Sequence, residues 1–148
     1  MMDAYATNEP IILISAERAE LSDEENTRRD DLLEDMLIER RLPYMPVVGM
    51  YEGNRERSFA VLTITTMDRE AVVKLSQAFE QDSVLYLSPR EVQGRAAYLI
   101  SNDPEDQDDE NGPVVYIGEF RAIPHERALL DHSAWTFDPA ADQYYAVI

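Results

Sequence analysis

Short apolar runs and two longer stripes of helical spacing alternate along this chain. Runs rich in β-branched and aromatic residues, bounded by polar or turn residues, predict strands. These runs lie at 11–15, 44–51, 58–65, 83–88, 96–100, 114–123, 134–137 and 143–148. Apolar residues that recur every three or four positions predict helices at 23–41 and 67–81, and Pro124 opens a shorter helix to about residue 130.

The first helix has the clearest boundaries. Ser22 and Glu25 form a capping-box pattern, in which the Ser22 hydroxyl accepts from the Glu25 amide and the Glu25 carboxylate reaches back to the Ser22 amide. Its apolar stripe consists of Leu32, Leu33, Met36 and Leu37. Pro43 ends the helix, because the residue before a proline is disfavoured in the α conformation. Thr66 is placed to cap the second helix.

The order of elements, β-α-β-β-α-β-β-β-(α)-β-β, predicts an α+β fold. Strands mostly follow one another directly, and the regular β-α alternation of a doubly wound parallel sheet is missing. We therefore expect a single domain over 1–148, with an antiparallel or mixed β-sheet and two main helices packed on one face. Residues 1–10 are expected to form a loose arm and 102–113 an acidic loop, and the last two strands form a hairpin around Asp138 and Pro139.

The net charge indicates which kinds of partner the protein can attract. Thirty Asp and Glu face thirteen basic residues, for a formal charge of −17. Such a surface repels nucleic acid and anionic membranes at long range and attracts basic partners. The absence of cysteine excludes disulfides and fits a reducing, cytoplasmic location. The pattern of a signal peptide is missing, and no apolar run approaches the roughly 20 residues that span a bilayer.

Recognisable motifs for metals and catalysis are missing from the sequence. An EF-hand alignment that starts at Asp106 places Asn111 where glycine is needed and Ile117 where a bidentate Glu is needed. His125 and His132 lack the spacing of a zinc site. The chain contains no G-x-S-x-G motif and no glycine-rich phosphate loop. We therefore expect no metal, no cofactor and no catalytic residues.

The acidic residues concentrate in two segments that suggest a docking surface for a basic protein. Segment 17–35 holds nine acids and three bases, and segment 103–110 holds six acids and no base. Both can mimic the phosphates of nucleic acid toward an Arg-rich surface. The alternative is a solvated acidic face that only confers solubility. The partner-binding residues predicted in the second segment are Asp103, Glu105, Asp106, Asp108, Asp109 and Glu110.

Arginine and aromatic residues on the predicted strands suggest a second kind of surface. A sheet face that carries both can stack single-stranded bases. The competing interpretation places the rings in the core beneath the helices, and the net charge argues against nucleic acid because such proteins present a positive groove. The candidate nucleic-acid-binding residues are Arg57, Arg95, Arg121, Tyr98 and Tyr116.

Four short motifs resemble an uncharacterised domain family of bacteria and their phages, whose members share a S-x-x-E-N helix start, an E-x-S-F strand and an F-x-Q segment. The motifs, within residues 11–88, are Ser22-x-x-Glu25-Asn26-x-x-Arg29, Gly49-x-Tyr51, Glu56-x-Ser58-Phe59-x-Val61 and Phe79-x-Gln81-x-Ser83-Val84. The resemblance implies a single α+β domain of bacterial or phage origin and carries no activity. The polar positions that it singles out are Asn26, Arg29, Glu56, Ser58 and Gln81.

The sequence thus favours a small acidic binding or regulatory protein without enzymatic activity. We expect it to be encoded by a phage and to engage a basic host protein, such as a nucleic-acid-handling enzyme or a transcription factor. The alternative is a nucleic-acid-binding regulator that uses the arginine and aromatic face. An enzyme of unknown class is the third hypothesis, which a deep pocket with convergent Glu56, Arg29 and Gln81 would favour. The oligomeric state stays open.

Overall fold

The computed structural model describes residues 8–51, 54–89, 94–103, 114–126 and 134–148. Every strand predicted from the sequence is present in it, with ends that shift by a few residues, whereas the short helix predicted after Pro124 falls mostly outside the described residues. The elements are β1 (Ile11–Ile14), α1 (Asp23–Glu39), β2 (Tyr44–Tyr51), β3 (Asn54–Leu62), α2 (Thr66–Ala78), β4 (Ser83–Leu87), β5 (Arg95–Ser101), β6 (Val114–Ile123), β7 (Trp135–Asp138) and β8 (Gln143–Val147).

The eight described strands form one closed antiparallel β-barrel in the order β1-β3-β2-β7-β8-β6-β5-β4. Closure comes from β1, which aligns Ile11 with Leu62 of β3 on one side and with Leu87 of β4 on the other. The predicted α+β sheet with two helices on one face is therefore wrong. Strands that follow one another directly favour antiparallel neighbours, which the sequence predicted. No local sequence pattern indicates that β1 also pairs with β4, and this pairing removes both edges of the sheet. The hairpin around Asp138 is confirmed.

The two helices cover one side of the barrel from outside. Leu33 and Leu37 of α1 and Val72 of α2 pack with the outward side chains of β1 and β3, among them Ile12 and Phe59. The alternate side chains of β1 point into the barrel lumen, where they pack with other apolar residues. Both faces of β1 are therefore buried, which explains why its whole run is apolar.

The lumen changes from apolar at one end to polar at the other. Along β3 the inward positions run from Leu62 and Ala60 to Ser58 and Glu56, because alternate residues of a strand share a face. Apolar side chains from neighbouring strands fill the end at Leu62. We call the opposite end, which carries Ser15, Ser58 and Glu56, the mouth. The chain reaches the mouth at the end of β1, where it continues into α1, and again where α2 leads into β4.

Both helices begin at hydroxyl caps. The Ser22 hydroxyl accepts from the Glu25 amide at 3.2 Å, as predicted, but the described residues show no return bond from the Ser22 amide to the Glu25 carboxylate. The second helix begins one residue earlier than expected, because the N-cap is Thr65 rather than Thr66. The Thr65 hydroxyl accepts from the Asp68 amide at 3.1 Å, and the Asp68 carboxylate accepts from the Thr65 amide at 3.2 Å. Neither of these helices is long and apolar enough to cross a membrane, within the described part of the chain.

Candidate active site

A cavity of about 620 Å³ opens at the mouth of the barrel. Inward side chains of the strands form its walls, and two connections form its rim. We call residues 15–22, between β1 and α1, rim loop 1, and residues 79–82, between α2 and β4, rim loop 2. The volume lies in the range typical of small-molecule sites. The lining residues that matter below are Ser15, Glu17, Arg18, Glu20, Glu56, Ser58, Gln81, Trp135 and Tyr145.

Glu56 contributes a carboxyl group to the wall of the cavity. It lies on β3 opposite Gly49 of β2, and a Cβ atom at Gly49 would lie 3.8 Å from Glu56 Cγ. Burial disfavours the charged form of Glu56, and the negative charge of Glu17 adds to this effect. Together they raise the pKa of Glu56 to about 7. A carboxyl group that titrates near neutral pH can bind a cation or hold and release a proton.

Glu17, which belongs to rim loop 1, lies near Glu56. Hydrogen bonds hold Glu17 in place. Its amide donates to Ser15 Oγ at 3.1 Å, its carbonyl accepts from Gln81 Nε2 at 3.1 Å, and its Oε2 accepts from the Arg57 amide at 2.7 Å. The Ser15 hydroxyl in turn donates to the Arg57 carbonyl at 3.0 Å. Rim loop 1 is thereby attached to β3, and a second carboxyl group is held in the cavity wall.

Asn26 and Arg29 of α1 hold the rim loops from outside the cavity. Asn26 Nδ2 donates to the Arg18 carbonyl at 3.0 Å, and Asn26 Oδ1 accepts from the Arg18 amide at 2.9 Å. Arg29 Nε donates to the Ala16 carbonyl at 2.6 Å, and a second guanidinium nitrogen donates to the Phe79 carbonyl. Because Ala16 belongs to rim loop 1 and Phe79 to rim loop 2, Arg29 connects the two loops.

Arg18 is the only cationic side chain that lines the cavity within the described residues. Its guanidinium pairs with the Glu20 carboxylate and donates to the Glu80 carbonyl. The hydrogen bond and the charge of Glu20 raise the pKa of Arg18, so this side chain stays protonated. The cavity therefore presents carboxyl groups in its wall and one guanidinium at its rim.

Aromatic rings form the side of the cavity at β7 and β8. Trp135 and Tyr145 line it, and Trp135 is only 6% exposed. The Tyr145 ring stacks on Phe120 with centroids 5.2 Å apart, and Tyr144 meets Trp135 edge-on with centroids 5.0 Å apart. The Arg55 guanidinium lies over the Trp135 ring at 5.6 Å. The Trp135 and Tyr144 rings pack together on the outer face of the strands, whereas the inward ring of Tyr145 suits a flat aromatic group or an organic cation.

The predicted nucleic-acid residue Arg95 lies in the interior of the protein. It is 3% exposed, and its guanidinium donates to the Glu9 carbonyl at 2.6 Å and to the Ser88 carbonyl at 2.9 Å. These bonds attach the chain before β1 to the end of β4. Arg95 is therefore engaged in holding backbone together, at the opposite end of the barrel from the mouth.

The other residues predicted for nucleic acid are dispersed around the barrel. Tyr98 and Tyr116 contact each other on β5 and β6, with ring centroids 5.5 Å apart. Arg57 lies on β3 beside α1, where its guanidinium pairs with Asp31 at 3.7 Å. Arg121 is exposed on β6. The structure does not gather these side chains around the cavity.

Of the predicted partner-binding acids, Asp103 lies within the described residues. It is exposed after β5, and its amide donates to Ser101 Oγ at 3.1 Å. The other acidic segment, 17–35, contributes Glu17 and Glu20 to the cavity lining. The remaining predicted residues, Glu105, Asp106, Asp108, Asp109 and Glu110, lie outside the described residues.

The five polar positions singled out by the sequence resemblance meet at the mouth. Glu56, Ser58 and Gln81 line the cavity, and Asn26 and Arg29 hold its rim loops. The uncharacterised family itself stays a prediction. The arrangement under which the sequence favours an enzyme is thus met in part, because Glu56 and Gln81 line the pocket and Arg29 holds its rim from outside.

Sequence reasoning did not single out Glu17, Ser15 or Trp135 as site residues. Glu17 is one of nine acids in segment 17–35, so composition does not distinguish it from solvated neighbours. Trp135 is one of several aromatic residues on predicted strands, for which the sequence leaves open both a stacking face and a place in the core. These residues share no local motif, because closure of the barrel brings together positions from distant strands.

Metal-ligating side chains are not clustered in the described residues, where no group of three or more His, Cys, Asp or Glu is arranged to hold an ion. His125 packs against Tyr144, with ring centroids 4.9 Å apart, and does not line the cavity. His132 lies outside the described residues. The described lining offers carboxyl groups, hydroxyls, a guanidinium and aromatic rings for chemistry.

The fold and the site together define a small β-barrel protein whose acidic, aromatic-walled cavity suits a cationic organic ligand. The S-adenosylmethionine lyase family matches residues 12–148, so the chain belongs to this family. A comparison with curated proteins finds no match.

Membership of this family points to an enzyme. The prediction of a non-enzymatic acidic regulator, with a nucleic-acid-binding regulator as its alternative, is therefore wrong. Net charge describes the solvated surface, where most of the acids within the described residues are exposed. Chemistry depends instead on a few groups, such as Glu17 and Glu56, that the fold brings into one cavity.

Proposed function

We propose that this protein is a lyase that binds S-adenosylmethionine in the mouth cavity and cleaves a carbon–sulfur bond of its sulfonium group. The observation that carries the proposal is the placement of Glu56 and Glu17 together in the wall of this cavity, in a chain of the S-adenosylmethionine lyase family. A cytoplasmic location, expected from the cysteine-free sequence, is part of the proposal.

The charges in the cavity complement those of the substrate. S-adenosylmethionine carries a sulfonium, an ammonium and a carboxylate. Glu17 and Glu56 attract its cationic groups and Arg18 attracts its carboxylate, in surroundings where reduced dielectric strengthens each interaction. The side of the cavity at the inward ring of Tyr145 accepts the adenine ring. The carboxyl groups of the wall and the Arg18 guanidinium at the rim thereby give the amino-acid end of the substrate one orientation.

The reaction follows from what a lyase does, which is to break a bond without adding water. The substrate's own carboxylate oxygen attacks its γ-carbon and closes a five-membered lactone. The bond between this carbon and sulfur breaks, and its electron pair stays on the sulfur of methylthioadenosine. Atoms and charge balance, because the sulfonium and the carboxylate both become neutral and no proton moves. The step needs no nucleophile from the protein, and the described lining contains no Cys, His or Lys.

The protein's contribution is to bind and orient. A site of lower dielectric than water favours a step in which two opposite charges disappear. The rim loops, tied together by Gln81 and Arg29, keep the walls in place, so that the attacking oxygen stays close to the γ-carbon. Glu56 in its carboxylate form holds the cationic end of the substrate.

The products test this function. The purified protein is incubated with S-adenosylmethionine in ¹⁸O-labelled water, and the products are identified by mass spectrometry. We expect one methylthioadenosine for each substrate consumed, and a four-carbon product that takes up ¹⁸O only in its carboxyl group, when the lactone opens. Label in the homoserine hydroxyl would reveal direct attack by water and would contradict the proposal. S-adenosylhomocysteine as the product, or no consumption of substrate, would also overturn it.

A further inference from the structure

Asp30 lies at a position of α1 that faces the barrel, where apolar side chains normally pack. The buried residues of this helix are Asp30, Leu33 and Leu37, which lie on the stripe that faces the barrel. Asp30 is only 2% exposed, and its Oδ1 atom makes no hydrogen bond within the described residues. An ionised carboxylate is strongly disfavoured in such a place. The group is therefore expected to be neutral, and a neutral acid is a hydrogen-bond donor.

The groups that face Asp30 favour its protonated, neutral form. Its carboxyl group lies beside that of Glu17 from rim loop 1, and the other charged groups nearby are Arg57 of β3 and Asp31 of α1. Burial raises the pKa of Asp30, the hydrogen bond and charge of Glu17 raise it further, and Arg57 lowers it. The Arg57 guanidinium is shared with Asp31 at 3.7 Å. Two carboxyl groups form a hydrogen bond only when one holds a proton, and Asp30 is the more buried.

We infer that Asp30 is a positioning residue for the cavity: as a neutral acid it donates a hydrogen bond to the carboxylate of Glu17 and holds that carboxylate near Glu56. Asp30 does not line the cavity itself, so it acts through Glu17. The backbone bonds of Glu17 fix its main chain, and Asp30 and the Arg57 amide fix its side chain. The inference rests on the proposed function, because it assigns regulation of the same site.

Three carboxyl groups, those of Asp30, Glu17 and Glu56, thereby form a row from α1 to the cavity. Among the described residues, Glu17 is the charged group that contributes to the raised pKa of Glu56. Asp30 therefore influences the pH at which Glu56 becomes a carboxylate, and with it the pH at which the cavity binds a cation. When the donor is lost, the Glu17 side chain is free to turn away from Glu56, and the pKa of Glu56 falls.

The test compares the pH dependence of kcat/KM for the wild type, Asp30→Asn, Asp30→Leu and Glu17→Gln. Asp30→Asn keeps a neutral donor, so its midpoint stays that of the wild type. Asp30→Leu removes the donor but suits the apolar stripe, and Glu17→Gln removes the charge, so both shift the midpoint to lower pH. A midpoint for folded Asp30→Leu equal to that of the wild type would overturn the inference, and so would an equal shift in Asp30→Asn.

A second measurement does not depend on activity and titrates the wild-type protein. The side-chain carboxyl carbons are followed by ¹³C NMR as the pH is raised, with Asp30→Asn used only to assign the Asp30 signal. We expect Asp30 to stay protonated well above the ordinary range of an aspartic acid, and an ordinary titration would overturn the inference. If the wild type fails to cleave S-adenosylmethionine, the proposed function fails, while the NMR titration still decides whether Asp30 holds the proton.

Discussion

Gln81 donates a hydrogen bond from Nε2 to the carbonyl of Glu17 at 3.1 Å. This bond joins rim loop 2 to rim loop 1 across 64 positions of sequence and keeps the chain at Glu17 against the cavity. Arg29 joins the same two loops through the carbonyls of Ala16 and Phe79. The position of one site carboxyl group thus depends on contacts between segments that are far apart in the chain.

The first prediction concerns this bond. Gln81→Ala should raise KM and lower kcat/KM about tenfold, since Glu17 and the rim are no longer held in place. The free energy of unfolding should fall by only about 1 kcal/mol, the usual contribution of a hydrogen bond. Steady-state kinetics and urea unfolding check both parts. The matched control is Gln77→Ala, at an exposed position of α2, and an equal kinetic effect in both variants would contradict the role of Gln81.

The second prediction concerns the pH dependence of catalysis. Glu56 is protonated and neutral below its raised pKa of about 7 and is a carboxylate above it. A cationic substrate prefers the carboxylate, so kcat/KM should rise with pH and level off above this value. A pH–rate profile of the wild type measures the rise. Glu56→Gln should lose this titration, and a rising limb that persists unchanged in that variant would assign the titration to another group.

The third prediction concerns stability. The pKa values of Asp30 and Glu56 are raised in the folded protein, so the folded state binds more protons than the unfolded chain between the ordinary and the raised values. Their contribution to stability is therefore present at low pH and is lost as pH rises, for Glu56 between 4.5 and about 7. The melting temperature should fall over this window, by about 2–4 °C for each kcal/mol lost.

Asp30→Asn provides the check on that prediction, because an amide does not ionise. Its melting temperature should depend less on pH than that of the wild type, and the difference should grow as pH rises. Asp35→Asn is the matched control, since Asp35 is exposed on the same helix and is not among the charged groups near Asp30. If both variants reduce the pH dependence equally, the effect belongs to net charge and not to the buried carboxyl group.

The fourth prediction concerns the contact between barrel and helices. Phe59 is fully buried on the outer face of β3, where it packs with α1 and α2 and meets the Tyr44 ring edge-on at 5.6 Å. Phe59→Ala should lower the free energy of unfolding by about 3–5 kcal/mol, because it leaves a cavity under both helices. The control Ile38→Ala, at a side chain that is 58% exposed, should change it by less than about 0.5 kcal/mol. Denaturant unfolding of both variants measures the difference.

The secondary structure was largely predictable because its signals are local. Alternation and apolar runs locate the strands, and the hydroxyl of Ser22 marks the start of α1 within one turn. Closure of the barrel was not predictable, because the pairing of Ile11 with Leu87 joins segments far apart and leaves no local pattern. The wholly apolar run of β1 indicated burial on both faces, and this fits a layered sheet as well as a barrel wall.

The site was predictable only in part, for the same physical reason. The resemblance motifs singled out Glu56, Ser58 and Gln81 but gave these residues no role. All three line the cavity. Glu17 could not be distinguished from the other acids of its segment. The local sequence around a solvated carboxylate does not differ from that around a carboxylate held in a cavity wall. Arg95 shows the converse: a charged side chain on a strand suggested an exposed surface, but the fold buries it and uses it to bind backbone carbonyls.

The rate of methylthioadenosine formation in Glu56→Gln, relative to the wild type, tests the central claim most directly. Glu70→Gln, at an exposed position of α2 that does not line the cavity, makes the same change of charge and is the control. If the mouth cavity is the active site, Glu56→Gln should lower kcat/KM at least about a hundredfold with the fold intact, since it removes a half-buried carboxylate that pairs with the substrate's positive charge. Glu70→Gln should keep the wild-type rate. Equal rates for Glu56→Gln and Glu70→Gln would contradict the account and place the chemistry elsewhere.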